Sequence, residues 1–241
     1  EGNRVAVGAE VPQGQDIRFA GEDVREGELV IPRGGIIRPA EIGMLASLGR
    51  AFIFVHQRPL VAIVATGDEL ADIDEPPSPW KIVSSNSYSL AAMVMECGAN
   101  PLQIGIARDI REDLLEKFRA AMRADLIVSS GGVSVGDYDL VKDILQEVGN
   151  RMQFWKVAMK PGKPLVFGTI GNKPVFGLPG NPTSAMISFE QFVRPALLKM
   201  MGHTRLFRPL VEATRVEGVS ISKGRLHLLR CKLFEQDGRL M

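Results

Sequence analysis

The residues best spaced for chemistry lie in Val128-Ser129-Ser130-Gly131-Gly132-Val133-Ser134-Val135-Gly136-Asp137-Tyr138-Asp139, where an apolar run enters a glycine-rich turn and hands over to a helical pattern. Glycines and serines there let backbone N–H groups approach an anion closely, and the following helix points its positive end at the same place. Asp139, just before the apolar periodicity, can cap that helix or hold a divalent cation against a bound phosphate. Asp68 and Glu69 of Thr66-Gly67-Asp68-Glu69, and Asp109 of Arg108-Asp109, each follow an apolar run as well. Capping is the default role of Asp109, yet carboxylates delivered by successive strand ends beside a phosphate loop exceed what capping requires. A magnesium-bridged phosphate explains the coincidence.

Two further segments suit anions. Lys160-Pro161-Gly162-Lys163-Pro164 presents two ammonium groups on a proline-stiffened loop. These are point charges without bidentate geometry, suited to a compact tetrahedral anion or a diphosphate; the plainer alternative is a pair of solvated lysines. Gly177-Leu178-Pro179-Gly180-Asn181-Pro182-Thr183-Ser184 reads as a second anion-competent helix start. Asn181 is its cap, Pro182 fits the first helical position, and Thr183 and Ser184 offer donors above the sheet.

These segments need a frame, and the pattern from Leu60 onward supplies one. Leu60 to Ala65, Leu102 to Ala107, Asp125 to Val128, Phe154 to Met159, Leu165 to Phe167 and Val175-Phe176 read as strands. Helical patterns fall between them: Asn86 to Gly98 with Asn86 as cap, Arg111 to Arg123, and Leu140 to Val148 ended by Gly149. A helix from Pro182 runs to Gly202 with a bend expected at Pro195. Alternation of this kind predicts an α/β fold, a mostly parallel sheet with helices on both faces, which binds ligands at the carboxyl edge of its strands. Small β-rich domains flank it. Residues 1–50 read as short strands and turns with one helix opening at Pro39 and ending at Gly49; residues 51–203 form the α/β domain; residues 204–241 form an incomplete C-terminal β domain. In that last part Arg225 to Leu233 reads as strand and Asp237-Gly238 as a hairpin turn. Asp16, Arg18, Glu22 and Asp23 read as a solvated charged loop.

Bulk properties narrow the classes. The 241 residues are 45% hydrophobic, enough for one sizeable core and a smaller satellite. With 29 basic and 28 acidic side chains the net charge is +1, so no global field attracts nucleic acid or an anionic membrane, and any anion site is local. No apolar run approaches the roughly twenty residues of a membrane span, and the N-terminus lacks the order of a signal peptide. Cys97 and Cys231 fit neither a disulfide framework nor zinc spacing, which points to a reducing, cytoplasmic setting. Cys97 reads as core. His56, His203 and His227 are scattered and suggest neither a metal triad nor a nucleophile dyad.

With the Ser129 to Asp139 loop, Lys160-Pro161-Gly162-Lys163-Pro164 and Gly177-Leu178-Pro179-Gly180-Asn181-Pro182 in this order, the chain resembles the molybdopterin molybdenumtransferases of the MoeA and gephyrin E-domain type. Thr66-Gly67-Asp68-Glu69-Leu70, Ser85-Asn86 and Arg108-Asp109 also fall where that family's motifs stand. The resemblance covers residues 14–202 well and the tail loosely. It implies insertion of molybdate into adenylylated molybdopterin with release of AMP, in molybdenum cofactor biosynthesis, with magnesium-dependent hydrolysis of the adenylate. It assigns Asp68, Glu69, Asp109 and Asp139 to catalysis, with Glu69, Asp109 and Asp139 on Mg2+. Ser130, Gly131, Gly132 and Ser134 would hold phosphates; Lys160, Lys163 and Ser184 would hold molybdate; Pro179, Asn181 and Pro182 complete substrate binding. It further implies a homodimer when complete and the molybdopterin adenylyltransferase as a partner. Against that resemblance, the family's usual front portion, including its elongated domain, is expected to be missing from these residues. Rival readings are an adenylyltransferase of the same domain type, a competence-damage-type nucleotide pyrophosphatase, and a non-enzymatic, gephyrin-like scaffold.

Overall fold

The computed structural model describes every residue except 1, 4, 7, 133–137, 220 and 222, and at 138–140 and 142 it describes the backbone alone. The chain divides into two compact units, Glu1–Phe52 and Ile53–Met241.

In the first unit the regular element among the described residues is helix α1 (Pro39–Ser47), with Pro39 in its first turn as its fixed φ favours. Arg38 stands at the N-cap, and its backbone N–H donates to Glu41 Oε2 at 2.8 Å. The short strands expected here are replaced by turns, with bonds such as Gln15 N to Pro12 O, Glu22 N to Phe19 O and Gly35 N to Pro32 O. Three-residue apolar stretches such as 29–31 find no partner ladder, and Leu29 and Ile36 stay exposed. Arg18 pairs with Asp23 on the solvated loop.

The second unit runs β1 (Leu60–Thr66), β2 (Leu70–Ala71), β3 (Ile82–Val83), α2 (Ser85–Glu96), β4 (Asn100–Ala107), α3 (Arg111–Ala121), β5 (Leu126–Ser130) and α4 (Tyr138–Glu147). It continues with β6 (Asn150–Lys156), β7 (Met159–Lys160), β8 (Pro164–Ile170), β9 (Lys173–Leu178), α5 (Pro182–Ser188), a π turn at Phe189–Val193, α6 (Arg194–Met200), β10 (Leu226–His227), β11 (Glu235–Gln236) and β12 (Arg239–Leu240). The main sheet has the order β4-β1-β5-β9-β8-β6. Strands β4, β1, β5 and β9 are mutually parallel, whereas β8 runs antiparallel to both its neighbours. Because β6 is antiparallel to β8, it ends at the same edge as β9, and the Lys156 to Pro164 pairing brings the lysine loop there too.

Alternation along β1 explains the two layers. Val61 and Ile63 face a core completed by Leu90 and Val94 of α2, Ala185 of α5, Phe189 and Val193 of the π turn, and Leu197 of α6. Ala62 and Val64 face the opposite core, with Leu114 and Phe118 of α3 and Ile144 and Leu145 of α4. Each fully buried large apolar side chain contributes about 1.5–3 kcal/mol, so burial on both faces of the sheet holds the strands that end at the carboxyl edge.

Several local expectations change. Helix α2 has Ser84, not Asn86, at its N-cap, and Asn86 sits inside the first turn. Helix α3 has Ile110 at its N-cap, not Asp109; Asp113 reaches back instead to accept from Arg108 N at 2.7 Å. The π turn runs directly into α6, whose second residue Pro195 lacks the N–H that would continue the helical ladder, at the place where a bend is expected. The strand expected over 225–233 contracts to β10, which pairs in parallel with β7; Leu226 N bonds Ala158 O and Leu228 N bonds Lys160 O. Asp237 and Gly238, with φ of 51° and 71°, form the two-residue turn between β11 and β12. Cys97 is half-buried against the first core, and burial raises its thiol pKa.

Candidate functional site

Strand β1 releases the chain at Thr66, and the next turn is tied to the turn after β4. Asp109 N donates to Asp68 Oδ1 at 3.0 Å, and Asp68 N donates to Asp109 Oδ2 at 3.4 Å. This reciprocal pairing ties the two turns together and brings both carboxylates to the same strand ends. Arg108 braces the same turn, its Nη1 donating to Leu70 O at 2.6 Å and to Asp68 O at 3.3 Å. Its Nη2 lies 3.7 Å from Glu75, whose carboxyl also binds Lys81 Nζ at 2.8 Å. The Lys81 hydrogen bond is the main cause that holds the Glu75 pKa down. The exposed Glu69 curls back over Gly67, where a Cβ would meet Glu69 Oε2 at 2.4 Å.

Strand β5 ends in the glycine turn. Gly131 has φ of +94°, and a Cβ there would lie 2.3 Å from Thr66 O; at Gly132, with φ of +62°, it would lie 2.7 Å from Thr66 Oγ1. Glycine is required by contact as well as by conformation. Gly131 N bonds Leu178 O at 3.1 Å, which draws the turn toward the end of β9. There Asn181 caps α5, accepting from Ser184 N at 3.3 Å, with Pro182 in the first helical turn. A Cβ on Gly180 would stand 3.7 Å from Gly131 Cα, so the two turns abut.

Asn86 lies where they meet. Its Nδ2 donates to Ser130 Oγ and to Gly180 O, each at 2.8 Å. The Ser130 hydroxyl, 3% exposed, passes its own proton toward Pro179 O at 3.5 Å. That hydroxyl therefore links protein segments, and anion contact at this position falls to backbone groups. Thr66 Oγ1 and Asn86 Oδ1 are buried without a hydrogen-bond partner among the described residues. A cleft of about 310 Å3 opens here, lined by Thr66, Glu69, Asn86, Gly131, Gly180 and Pro182 with their neighbours. This is at the lower end of small-molecule pocket sizes, roughly 300–1,000 Å3.

Of the residues singled out in the sequence, Glu69, Ser130, Gly131, Asn181 and Pro182 line this cleft. Asp68 and Asp109 sit together at the adjoining strand ends. Gly132 packs on Thr66, and Pro179 O is the Ser130 acceptor. Ser184 contributes its backbone N–H to the Asn181 cap. Lys160 and Lys163 lie on a loop packed against α5, since a Cβ on Gly162 would meet Ser188 Oγ at 2.7 Å and Ser184 O at 3.8 Å. Both lysines are exposed, and neither ammonium is paired among the described residues. Ser134 and the side chain of Asp139 lie outside the described residues. Among the described residues no group of three or more His, Cys, Asp or Glu converges on one point. Nor is any described helix long and apolar enough to cross a membrane. Asn86, like Asp109, reads as a cap in the sequence and is not one in the structure: an asparagine just after a short strand carries the same signal for a cap and for a tertiary donor.

Comparison with known proteins agrees with this architecture. Residues 62–199 match the family described as "probable molybdopterin binding domain", and residues 1–49 match the MoeA N-terminal region (domain I and II). A molybdopterin molybdenumtransferase of Nostoc sp. is 39% identical over 219 residues, covering 89% of this chain and 50% of the relative. Molybdopterin molybdenumtransferase 2 of Mycobacterium tuberculosis is 38% identical over 245 residues, covering 98% of this chain and 60% of the relative. The crystal structure of a molybdopterin biosynthesis MoeA protein from Pyrococcus horikoshii superposes with a TM-score of 0.72 at 29% identity, over 92% of this chain and 53% of that one. The chain thus spans about half the length of the relatives it matches. With more than half of its residues matched by the molybdopterin-binding family and the first 49 by the MoeA N-terminal region, the chain belongs to the MoeA family.

Proposed function

We propose that the protein acts in molybdenum cofactor biosynthesis as a molybdopterin molybdenumtransferase, inserting molybdate into adenylylated molybdopterin with release of AMP. The observation that carries this reading is the gathering, at one sheet edge, of the Gly131-Gly132 turn, the paired Asp68 and Asp109, and the capped start of α5. Two anions have to share that edge. The glycine turn would hold the phosphates, while Lys160 and Lys163, on the loop packed against α5, would balance the charge of molybdate near Ser184. The rate gain is then largely positioning and charge compensation.

Magnesium suits the donors. That ion is held by one or two carboxylates and takes its remaining ligands from substrate phosphates and water, so the two aspartates joined at these strand ends are sufficient on the protein side. Asp68, Asp109 and Glu69, with Asp139, would hold it, and when bound it supplies positive charge to the diphosphate.

A homodimer is consistent with the first unit, where an apolar groove of about 370 Å3 lies between residues 24–31 and Met44 and Leu45 of α1 with its C-cap Leu48. Two free cysteines suit the cytoplasm, and the molybdopterin adenylyltransferase is the proposed supplier of the activated pterin. The test is to incubate the protein with adenylylated molybdopterin, molybdate and magnesium and to follow AMP. Molybdate-dependent AMP release is expected; peptide binding without AMP release would replace this reading by the scaffold one.

A further inference from the structure

We propose that Asn86 is a positioning residue, fixing the distance between the phosphate turn after β5 and the turn before α5 so that a substrate spanning both is gripped at its two ends. This rests on the molybdopterin reading above. The orientation of the amide follows from its partners: Gly180 O can only accept, so the nitrogen must face it. Both amide protons are then committed, one to Gly180 O and one to Ser130 Oγ, across 94 and 44 residues of chain. Asn86 is 8% exposed, so water competes little for these bonds. Helix α2 makes no demand on the side chain, because its N-cap position is Ser84. Ser130 extends the link to Pro179 O, and Gly131 N is bonded to Leu178 O. The amide therefore joins two turns that leave different strands and precede different helices.

Such a link has a selective consequence. A ligand touching both turns binds its second end at a local concentration set by their spacing, and it loses affinity when that spacing becomes an ensemble. An anion small enough to sit on one turn pays no such cost. The test compares the parent protein with Asn86→Ala, which deletes both donors, and Asn86→Asp, which keeps the volume but turns carboxylate oxygens toward the Gly180 carbonyl. Affinities for adenylylated molybdopterin, inorganic pyrophosphate and molybdate are measured by titration calorimetry, well below the melting temperature of each protein.

The expected result is an affinity for adenylylated molybdopterin lower by about tenfold in both variants, the scale set by losing two hydrogen bonds, with pyrophosphate and molybdate each changed by less than about twofold. An equal loss for all three ligands overturns the proposal, because Asn86 then supports the fold without setting the spacing. Unchanged pterin affinity in the variants overturns it as well. A parent protein that binds pyrophosphate and molybdate but not the pterin instead overturns the molybdopterin reading, and this inference with it. If Asn86→Asp does not fold, Asn86→Ala carries the comparison alone, since it introduces no charge.

Discussion

Replacing Gly131 by alanine places a methyl group where the β5 turn touches β1. Two costs are separable. Holding alanine at a φ of +94° costs about 1–2 kcal/mol. The new Cβ would also stand 2.3 Å from Thr66 O, and that oxygen belongs to the last residue of a central strand. The turn must therefore move outward by roughly an ångström to reach ordinary contact, an overpacking cost of about 1–3 kcal/mol. Together they come to about 2–5 kcal/mol, or a fall in melting temperature of roughly 5–20 °C for a domain of this size. Gly149→Ala isolates the first cost, because Gly149 has φ of +89° with nothing within 4 Å of a built Cβ. Its melting temperature should fall by roughly 2–8 °C. Calorimetric melts at one scan rate, with pyrophosphate titrations of both proteins, make the comparison; pyrophosphate affinity should fall in Gly131→Ala and hold in Gly149→Ala. Equal melting losses and equal affinities would refute the argument that the turn is seated on the Thr66 carbonyl.

Arg108→Lys keeps the charge, but one ammonium cannot serve Asp68 O, Leu70 O and Glu75 together. AMP release should fall about tenfold, the scale of one well-placed hydrogen bond, while the melting temperature moves little; parent-rate release would remove Arg108 from any bracing role. Lys163→Gln deletes one positive charge from the proline-framed loop, so molybdate affinity should fall by ~1–3 kcal/mol and tungstate affinity in parallel. Equal molybdate affinity in calorimetric titrations would make Lys163 a solvated loop residue. Glu41 is held down to about 2, first by its side-chain hydrogen bond to Arg38 and then by backbone bonds. Because its folded pKa is depressed, the stabilisation of the α1 start is complete above the ordinary carboxylate value of 4.5 and is lost as pH falls through about 2. Amide exchange at Arg38 should quicken across that window, and Glu41→Gln should remove the dependence; an unchanged profile in the variant would assign it to another group.

The elements set by long apolar periodicity were legible. The parallel strands, the helices on both faces and the Asn181-Pro182 start of α5 follow from patterns that local sequence controls. What the sequence concealed was the choice among partners for short polar side chains. Asn86 and Asp109 both stand where caps belong, and both were drawn away by tertiary partners, Gly180 O and Ser130 Oγ for one, the Asp68 N–H for the other. A backbone donor in an adjacent strand turn leaves no trace in linear spacing. The glycine turn between β5 and α4 was legible as a turn, but the reason for two consecutive glycines, the Thr66 carbonyl and hydroxyl beneath them, depends on β1 lying beside β5. The strands expected in the first unit failed for the converse reason, since pairing needs a partner that short apolar stretches do not name.

The parallel pairing of β10 with β7 makes the tail a splint for the lysine loop. Leu226 N and Leu228 N occupy the carbonyls of Ala158 and Lys160, on the very strand from which the first lysine projects. Proteolytic trimming before residue 224 would hand those carbonyls back to solvent and slacken the loop's entry, without touching either ammonium group or any strand of the main sheet. Under the proposed molybdate role of the lysines, oxyanion binding would then be lost by a nick some sixty residues downstream of them in sequence, which a digestion time course would reveal as binding that decays while the central sheet keeps its spectrum.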